Sequence, residues 1–208
     1  WSFSVADSIV VDDFESYTDD EGNAIFDFWI DGWEVETNGS LVGYENTPFA
    51  EQTIIHGGAQ SMPLAYENTT GTMTSEAVLT FDGAQDWTKA GVTTLSLWLR
   101  GKVGNTTSMP LWVKVVDQSN KSAKVTFGDA GEDATALADA AWTEWNIPLG
   151  SLGGLNLARI ESITIGGVPG EMEVERGDPI AALPWFALGL RLVEGDAAAE
   201  WGARVRLE

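Results

Sequence analysis

Cysteine is absent from the 208 residues, and histidine occurs once, at His56. These absences exclude disulfides, thiol catalysis, Cys-ligated zinc and any centre built from several histidines. They do not exclude secretion, because a chain of this length buries a core that needs no covalent staple. Bases are scarce: 11 Lys and Arg stand against 32 Asp and Glu, a formal net charge of -21. Phosphate backbones and anionic lipid surfaces attract positive charge, so nucleic acid and anionic membranes are disfavoured as partners. No apolar run is long enough for a membrane-spanning helix, and no signal peptide is visible. No segment of ordinary helix length carries an apolar stripe at a period of 3.6 residues. The chain opens at Trp1 rather than Met, which reads as a mature fragment or an excised piece.

Short alternation is what the chain has in quantity. From Ala90 to Asp117 it reads GVTTLSLWLRG, a polar turn over 102–108, then MPLWVKVVD. Leu95, Leu97 and Leu99 alternate with Ser96, Trp98 and Arg100; Leu111, Val113 and Val115 alternate with Trp112, Lys114 and Val116. A period of two over six or more residues predicts strands with one aliphatic face. Further strands are expected at 8–11, 33–37, 41–44, 61–66, 75–81, 122–127, 142–149, 159–166 and 186–193, with short edge pieces at 52–55 and 201–207. Residues 25–33 (IFDFWIDGW) read as a short helix or an irregular loop with buried rings. Ten or more short strands, with turn signals between them, predict one all-β domain over residues 1–208. Its architecture is a two-sheet antiparallel sandwich of jelly-roll type, atypical from about residue 170 onward. No Pro/Ser/Gly-rich linker divides the chain, and no repeat period is present.

Ten tryptophans are many for this length. Most must be core, as Trp87 is expected to be, but an indole that stands opposite a leucine face needs another explanation. Trp98 and Trp112 occupy that position on segments expected to be neighbours, with Arg100 and Lys114 on the same parity. A flat ring flanked by polar groups is the arrangement that stacks on the C–H face of a sugar. Trp29 and Trp33 are weaker candidates for the same role, and Trp142 is expected to be partly exposed. Asp12, Asp13 and Glu15 flank the core anchor Phe14, and with oxygens from the Asn38-Gly39-Ser40 turn they would suit calcium, which takes six to eight oxygen ligands. The acids at 129, 132 and 133 lack the spacing of an EF-hand loop. Glu34, Glu36 and Glu76 are the carboxylates to inspect for a hydrolytic pair. No G-x-S-x-G motif accompanies His56, which reads as an incidental surface histidine. Four Asn-x-Ser/Thr sites, at Asn38, Asn68, Asn105 and Asn120, fall in turns whose chemistry already favours Asn.

Together VDDFESY, SMPLAYEN, SEAVLTF, AQDWTKAGVTTLSLWLRG, PLWVKVVD and ARIESITIGG resemble the extracellular β-jelly-roll modules of bacterial secreted proteins. These are the carbohydrate-binding modules and galactose-binding-like domains, and the likeness spans roughly 8–167. It implies a non-catalytic module of a larger secreted or cell-surface protein, binding a polysaccharide or other glycan by stacking and hydrogen bonds. It also implies a structural calcium near the first strand, here at Asp12, Asp13, Glu15 and Ser40. The closing strand departs from such modules, since 186–192 reads FALGLRL without the acids that help to hold that ion. An adhesion or assembly module without a sugar ligand, and a glycoside hydrolase or polysaccharide lyase with paired carboxylates, are the competing functions.

Overall fold

The computed structural model describes residues 8–33, 35, 37–66, 74–103, 105 and 111–167, and the backbone alone of 185–193. Two antiparallel sheets pack face to face as a β-sandwich. The first contains β1 (Ser8–Asp12), β3 (Ser40–Val42), β4 (Ser61–Tyr66), β6 (Thr94–Arg100), β9 (Thr143–Pro148) and β11 (Trp185–Val193). Its order is β3-β4-β11-β6-β9. Residues 185–187 of β11 pair with β4 and residues 190–193 pair with β1, so β4 and β1 follow each other along one edge of that strand. The second sheet contains β2 (Trp29–Ile30), β5 (Ser75–Gln85), β7 (Leu111–Asp117), β8 (Ser122–Thr126) and β10 (Ile160–Gly167), in the order β2-β5-β10-β7-β8.

The expected alternation is present. Leu95, Leu97 and Leu99 of β6, Trp145 and Ile147 of β9, and Met62 and Leu64 of β4 point inward. They meet Ala77 and Leu79 of β5, Val113 and Val115 of β7, and Ile163 and Ile165 of β10. One irregularity breaks the parity of β10. The register shifts between Ile160 and Ser162 against both neighbours, so Ile160 joins Ile163 and Ile165 in the core. A bulge of this kind re-aims one side chain without ending the strand.

Two expected elements differ, and one open alternative is resolved. A single helical turn covers Ile25–Phe28, followed by the two-residue strand β2, where helix and loop had been the open alternatives. The strand expected at 33–37 is a turn in its described residues, and 52–55 is bend rather than edge strand, with only Glu51 bridging to Ser61. Tyr66, which the alternation of 61–66 predicts to be core, is half-buried. The turn at 68–73 and the edge piece at 201–207 lie outside the described residues.

Asp117 is the inward position at the end of β7, where an acid would ordinarily be costly to bury. It is fully satisfied. Its Oδ1 accepts from the Ser119 N–H at 2.8 Å, the Ser119 hydroxyl at 2.6 Å and the Lys121 N–H at 3.2 Å, while Oδ2 accepts from the Asn156 N–H at 2.8 Å. One carboxylate therefore ties the β7–β8 hairpin to the loop before β10. Replacing Asp117 with Ala is expected to lower unfolding free energy by more than an ordinary surface substitution does, since several part-buried donors lose a charged acceptor together. Urea denaturation checks this, and a loss below about 0.5 kcal/mol would remove the assigned role.

Candidate functional site

Because Leu95, Leu97 and Leu99 face the core, Ser96, Trp98 and Arg100 must face outward from the first sheet. On the neighbouring strand Trp145 and Ile147 face inward, so Glu144 and Asn146 share the outer face. Trp98 is directly opposite Glu144, and Ser96 is opposite Asn146. The Ser96 hydroxyl donates diagonally to Glu144 Oε1 at 2.9 Å. On the other side of β6, Ala187 is at the register position opposite Trp98 and Arg191 at that opposite Ser96. The result is a patch of hydroxyl, amide, carboxylate and guanidinium groups around one half-buried indole.

A loop over 51–61 reaches onto this patch. Backbone hydrogen bonds between Glu51 and Ser61, at 3.0 and 2.8 Å, close its base. The Glu51 carboxylate gathers the Thr53 N–H, the Thr53 hydroxyl, the Ile54 N–H and the Tyr44 hydroxyl. Burial alone would raise the Glu51 carboxyl, but the donors from Thr53, Tyr44 and Ile54 prevail and hold it at about 2. At the far limb the Glu15 carboxylate accepts from the Ala59 and Gln60 N–H groups. Gly58 sits against Glu15 in a left-handed conformation, where a Cβ would lie 2.1 Å from its Oε1. The tip carries His56, whose imidazole stacks on Trp98 with ring centroids 3.8 Å apart and planes 17° apart. Trp142 meets the same imidazole edge-on at 5.8 Å. Burial holds the imidazole below its ordinary value.

The expected pairing of Trp98 with Trp112 is corrected. Strands β6 and β7 are consecutive in the chain but belong to different sheets, so the two indoles stand on opposite outer faces of the sandwich. Trp112 is only 3% exposed. Its ring covers Gly166 on the adjacent strand, where a Cβ would come within 2.5 Å of it. The ammonium groups of Lys114 and Lys124 lie 5.6 and 4.9 Å from the ring centroid, and Lys114 also pairs with Glu76 at 3.3 Å. Trp112 and Lys114 thus form a closed packing unit. Trp29 is fully buried, with its indole N–H donating to Asp12 Oδ2 at 2.7 Å, and offers no face to a ligand. Trp33 is 71% exposed, in the turn after β2 at the edge of the second sheet. Trp87 is core and Trp142 half-buried, as expected. Of the six candidate ligand contacts, Trp98 and Arg100 alone share the first sheet's outer face. Glu34 and Glu36 lie outside the described residues.

The residues implied for calcium do not fit a calcium cage as placed. Asp12 Oδ1 accepts from the Phe14 N–H at 2.8 Å, and Oδ2 accepts from the Tyr17 hydroxyl at 2.5 Å as well as from Trp29. Burial pushes the Asp12 carboxyl up, against the pull of those three donors. Asp13 caps the Glu15 N–H at 3.2 Å, Glu15 is committed to Ala59 and Gln60, and the Ser40 hydroxyl donates to the Glu76 carbonyl at 2.6 Å. Among the described residues no three Asp, Glu, His or Cys side chains converge as a metal cluster. Asp12 instead fixes Phe14, whose φ of 60° lies in the left-handed region, where such a ring needs outside support.

No protein-family model matches the chain, and no curated protein matches its sequence. Solved structures do resemble it. A family 30 carbohydrate-binding module superposes with a TM-score of 0.50 at 14% identity, over 76% of this chain and 92% of that one. The family 11 carbohydrate-binding module from Clostridium thermocellum, in complex with a β-1,3-1,4-mixed-linked tetrasaccharide, gives 0.50 at 13% identity, over 92% of this chain and 98% of that one. The fold is the β-jelly roll of these carbohydrate-binding modules. An exo-β-agarase also gives 0.50 at 9% identity, over 80% of this chain but only 24% of the enzyme. At such identities the jelly-roll likeness extends to architecture and stops there.

Sequence reasoning missed His56, Glu144 and Asn146 as members of the Trp98 patch. The alternation of β9 would have placed the last two on an outer face, but not beside β6. For His56 the available signal was a lone histidine before Gly57-Gly58.

Asp12→Ala is expected to destabilise by about 2–4 kcal/mol, because it strands two side-chain donors and one backbone donor. As a hydrogen-bond tie, the loss is the same in EDTA and in excess calcium. Thermal melts in both media check it, and a loss seen only with calcium would restore the cation. For Glu51 the sign follows from its lowered value. Its contribution is complete above the ordinary value of 4.5 and is lost as pH falls toward 2. Glu51→Gln should therefore flatten that part of the acid limb in a melting-temperature profile, whereas an unchanged limb would contradict the assignment.

Proposed function

We propose that this protein is a non-catalytic carbohydrate-binding module whose glycan lies on the outer face of the first sheet. The supporting observation is the Trp98 patch: one indole on the strand next to the sheet edge, ringed by Ser96, Arg100, Glu144 and Asn146. Stacking removes the apolar C–H face of a sugar from water, and the polar ring satisfies its hydroxyls. With a net charge of -21, the surface repels polyanions, which favours a neutral polysaccharide over a uronate-rich or sulfated one. A polysaccharide ligand is in keeping with a protein that works outside the cell or at its surface, as one part of a larger secreted chain. The competing hydrolytic reading has less support, because Glu76 is engaged by Lys114.

Affinity electrophoresis in gels containing mixed-linked β-1,3-1,4-glucan or agarose tests this. Retardation of the wild type is expected in at least one gel, without release of reducing sugar. Trp98→Ala should weaken binding by about tenfold or more, equivalent to roughly 1.4 kcal/mol. Trp112→Ala, if folded, should bind like the wild type. Equal binding by Trp98→Ala, or sugar release, would refute the proposal.

A further inference from the structure

The imidazole of His56 lies where the proposed ligand would stack. Its centroid is 3.8 Å from that of Trp98 and the planes are 17° apart, which is van der Waals contact and leaves no space for a sugar ring on that side of the indole. We infer that His56 is a latch: the tip of the 51–61 loop occupies the stacking face of Trp98, and a glycan binds by displacing it. This inference rests on the reading of Trp98 as the sugar platform.

Two further observations carry it. First, the loop is fastened on both sides of its tip but not at the tip. The Glu51 carboxylate and the Ser61 hydroxyl hold residues as far as Ile54, the latter donating to the Ile54 carbonyl at 2.8 Å. The Glu15 carboxylate holds Ala59 and Gln60. Between them Ile55, His56, Gly57 and Gly58 make no hydrogen bond among the described residues. That segment ends in two glycines, the residue with the widest backbone freedom. The fastened limbs confine movement to the four residues that carry the ring.

Second, the closed arrangement leaves polar atoms unsatisfied. Among the described residues His56 Nδ1, Trp98 Nε1 and Asn146 Oδ1 are buried without a hydrogen-bond partner, as is Trp112 Nε1 on the opposite face. Asn146 is diagonal to Trp98 on the same face, since its direct partner is Ser96. An indole N–H donates and an amide oxygen accepts, and a sugar hydroxyl can do the complementary thing to each. Opening the latch exposes both groups, so a ligand with neighbouring hydroxyls gains hydrogen bonds that the imidazole does not supply. The occupant that fits is a neutral, hydroxyl-rich ring.

His56 is the only histidine, so its ring-proton resonances are assigned without ambiguity. In the wild-type protein without ligand they should lie upfield of an exposed histidine, from the ring current of Trp98. Saturation with the β-1,3-1,4-mixed-linked tetrasaccharide or an agaro-oligosaccharide should return them toward exposed values. Calorimetry with the same two probes should show His56→Ala binding about threefold or more tighter than wild type, because the competent fraction rises, and His56→Trp binding more weakly. Binding by His56→Ala where wild type shows none would be the strongest support. Resonances at exposed values without ligand, resonances unmoved while a probe binds, or equal or weaker binding by His56→Ala would each overturn the latch and leave the platform standing. Binding by Trp98→Ala as tight as by the wild type would overturn the platform. Absence of binding by both wild type and His56→Ala would overturn both readings.

Discussion

Burial of Leu95, Leu97 and Leu99 is the constraint from which the rest follows. Each leucine removed from water contributes roughly 1.5–3 kcal/mol. A slip of one residue would send all three into solvent and drive Trp98 and Arg100 between the sheets. The strand therefore has one permitted register. What stands on its outer face is whatever the sequence placed between the leucines. Trp145 and Ile147 impose the same rule on β9, which is why Glu144 and Asn146 arrive beside Ser96 and Trp98. The chemistry of that face is a by-product of the core beneath it.

The large excess of acid serves the backbone more than it serves ions. Two salt bridges are formed among the described residues, and with so few bases there could not be many. Asp12, Glu15, Glu51, Asp117 and Glu132 instead collect N–H and O–H donors from turns. Glu132 is typical of them: one oxygen accepts from the N–H groups of Gly128 and Ala130, and the other from the indole of Trp145 at 3.1 Å. In a jelly roll most of the chain outside the strands is loop, and loop N–H groups need acceptors wherever strands cannot supply them. Charge-assisted acceptors are the strong choice. Such clusters resemble cation sites in a sequence because both uses call for oxygen.

The fold class was legible in the sequence because alternation is a local property. Each strand announces its own inward and outward residues, and the leucine and valine rows of β6 and β7 were read correctly. Which strand lies beside which is not local. The polar connection after Arg100 could have been a hairpin turn within one sheet; in fact it carries the chain from one sheet to the other, and this separates Trp98 from Trp112. The bulge before Ser162 was hidden for a related reason, since only pairing reveals an extra residue. Trp29 could not be told from an exposed indole, because the acid that satisfies its buried N–H is 17 positions away. His56 was hidden most deeply. Nothing in its own neighbourhood connects it to Trp98, and its position depends on two glutamates that hold the loop from either side.

The placement of β11 has a consequence for how the molecule comes into being. This late strand is hydrogen-bonded on one side to β6 and on the other to β4 and β1. A chain emerging from the ribosome can form the β7–β8 hairpin early, but the first sheet has a gap in its middle until residue 193 is released. Up to that moment β1, β4 and β6 present unpaired edges, and such edges invite pairing with other chains. Long-range closure of this kind is slow, so a nascent copy depends on being kept apart from its neighbours until synthesis has passed β11.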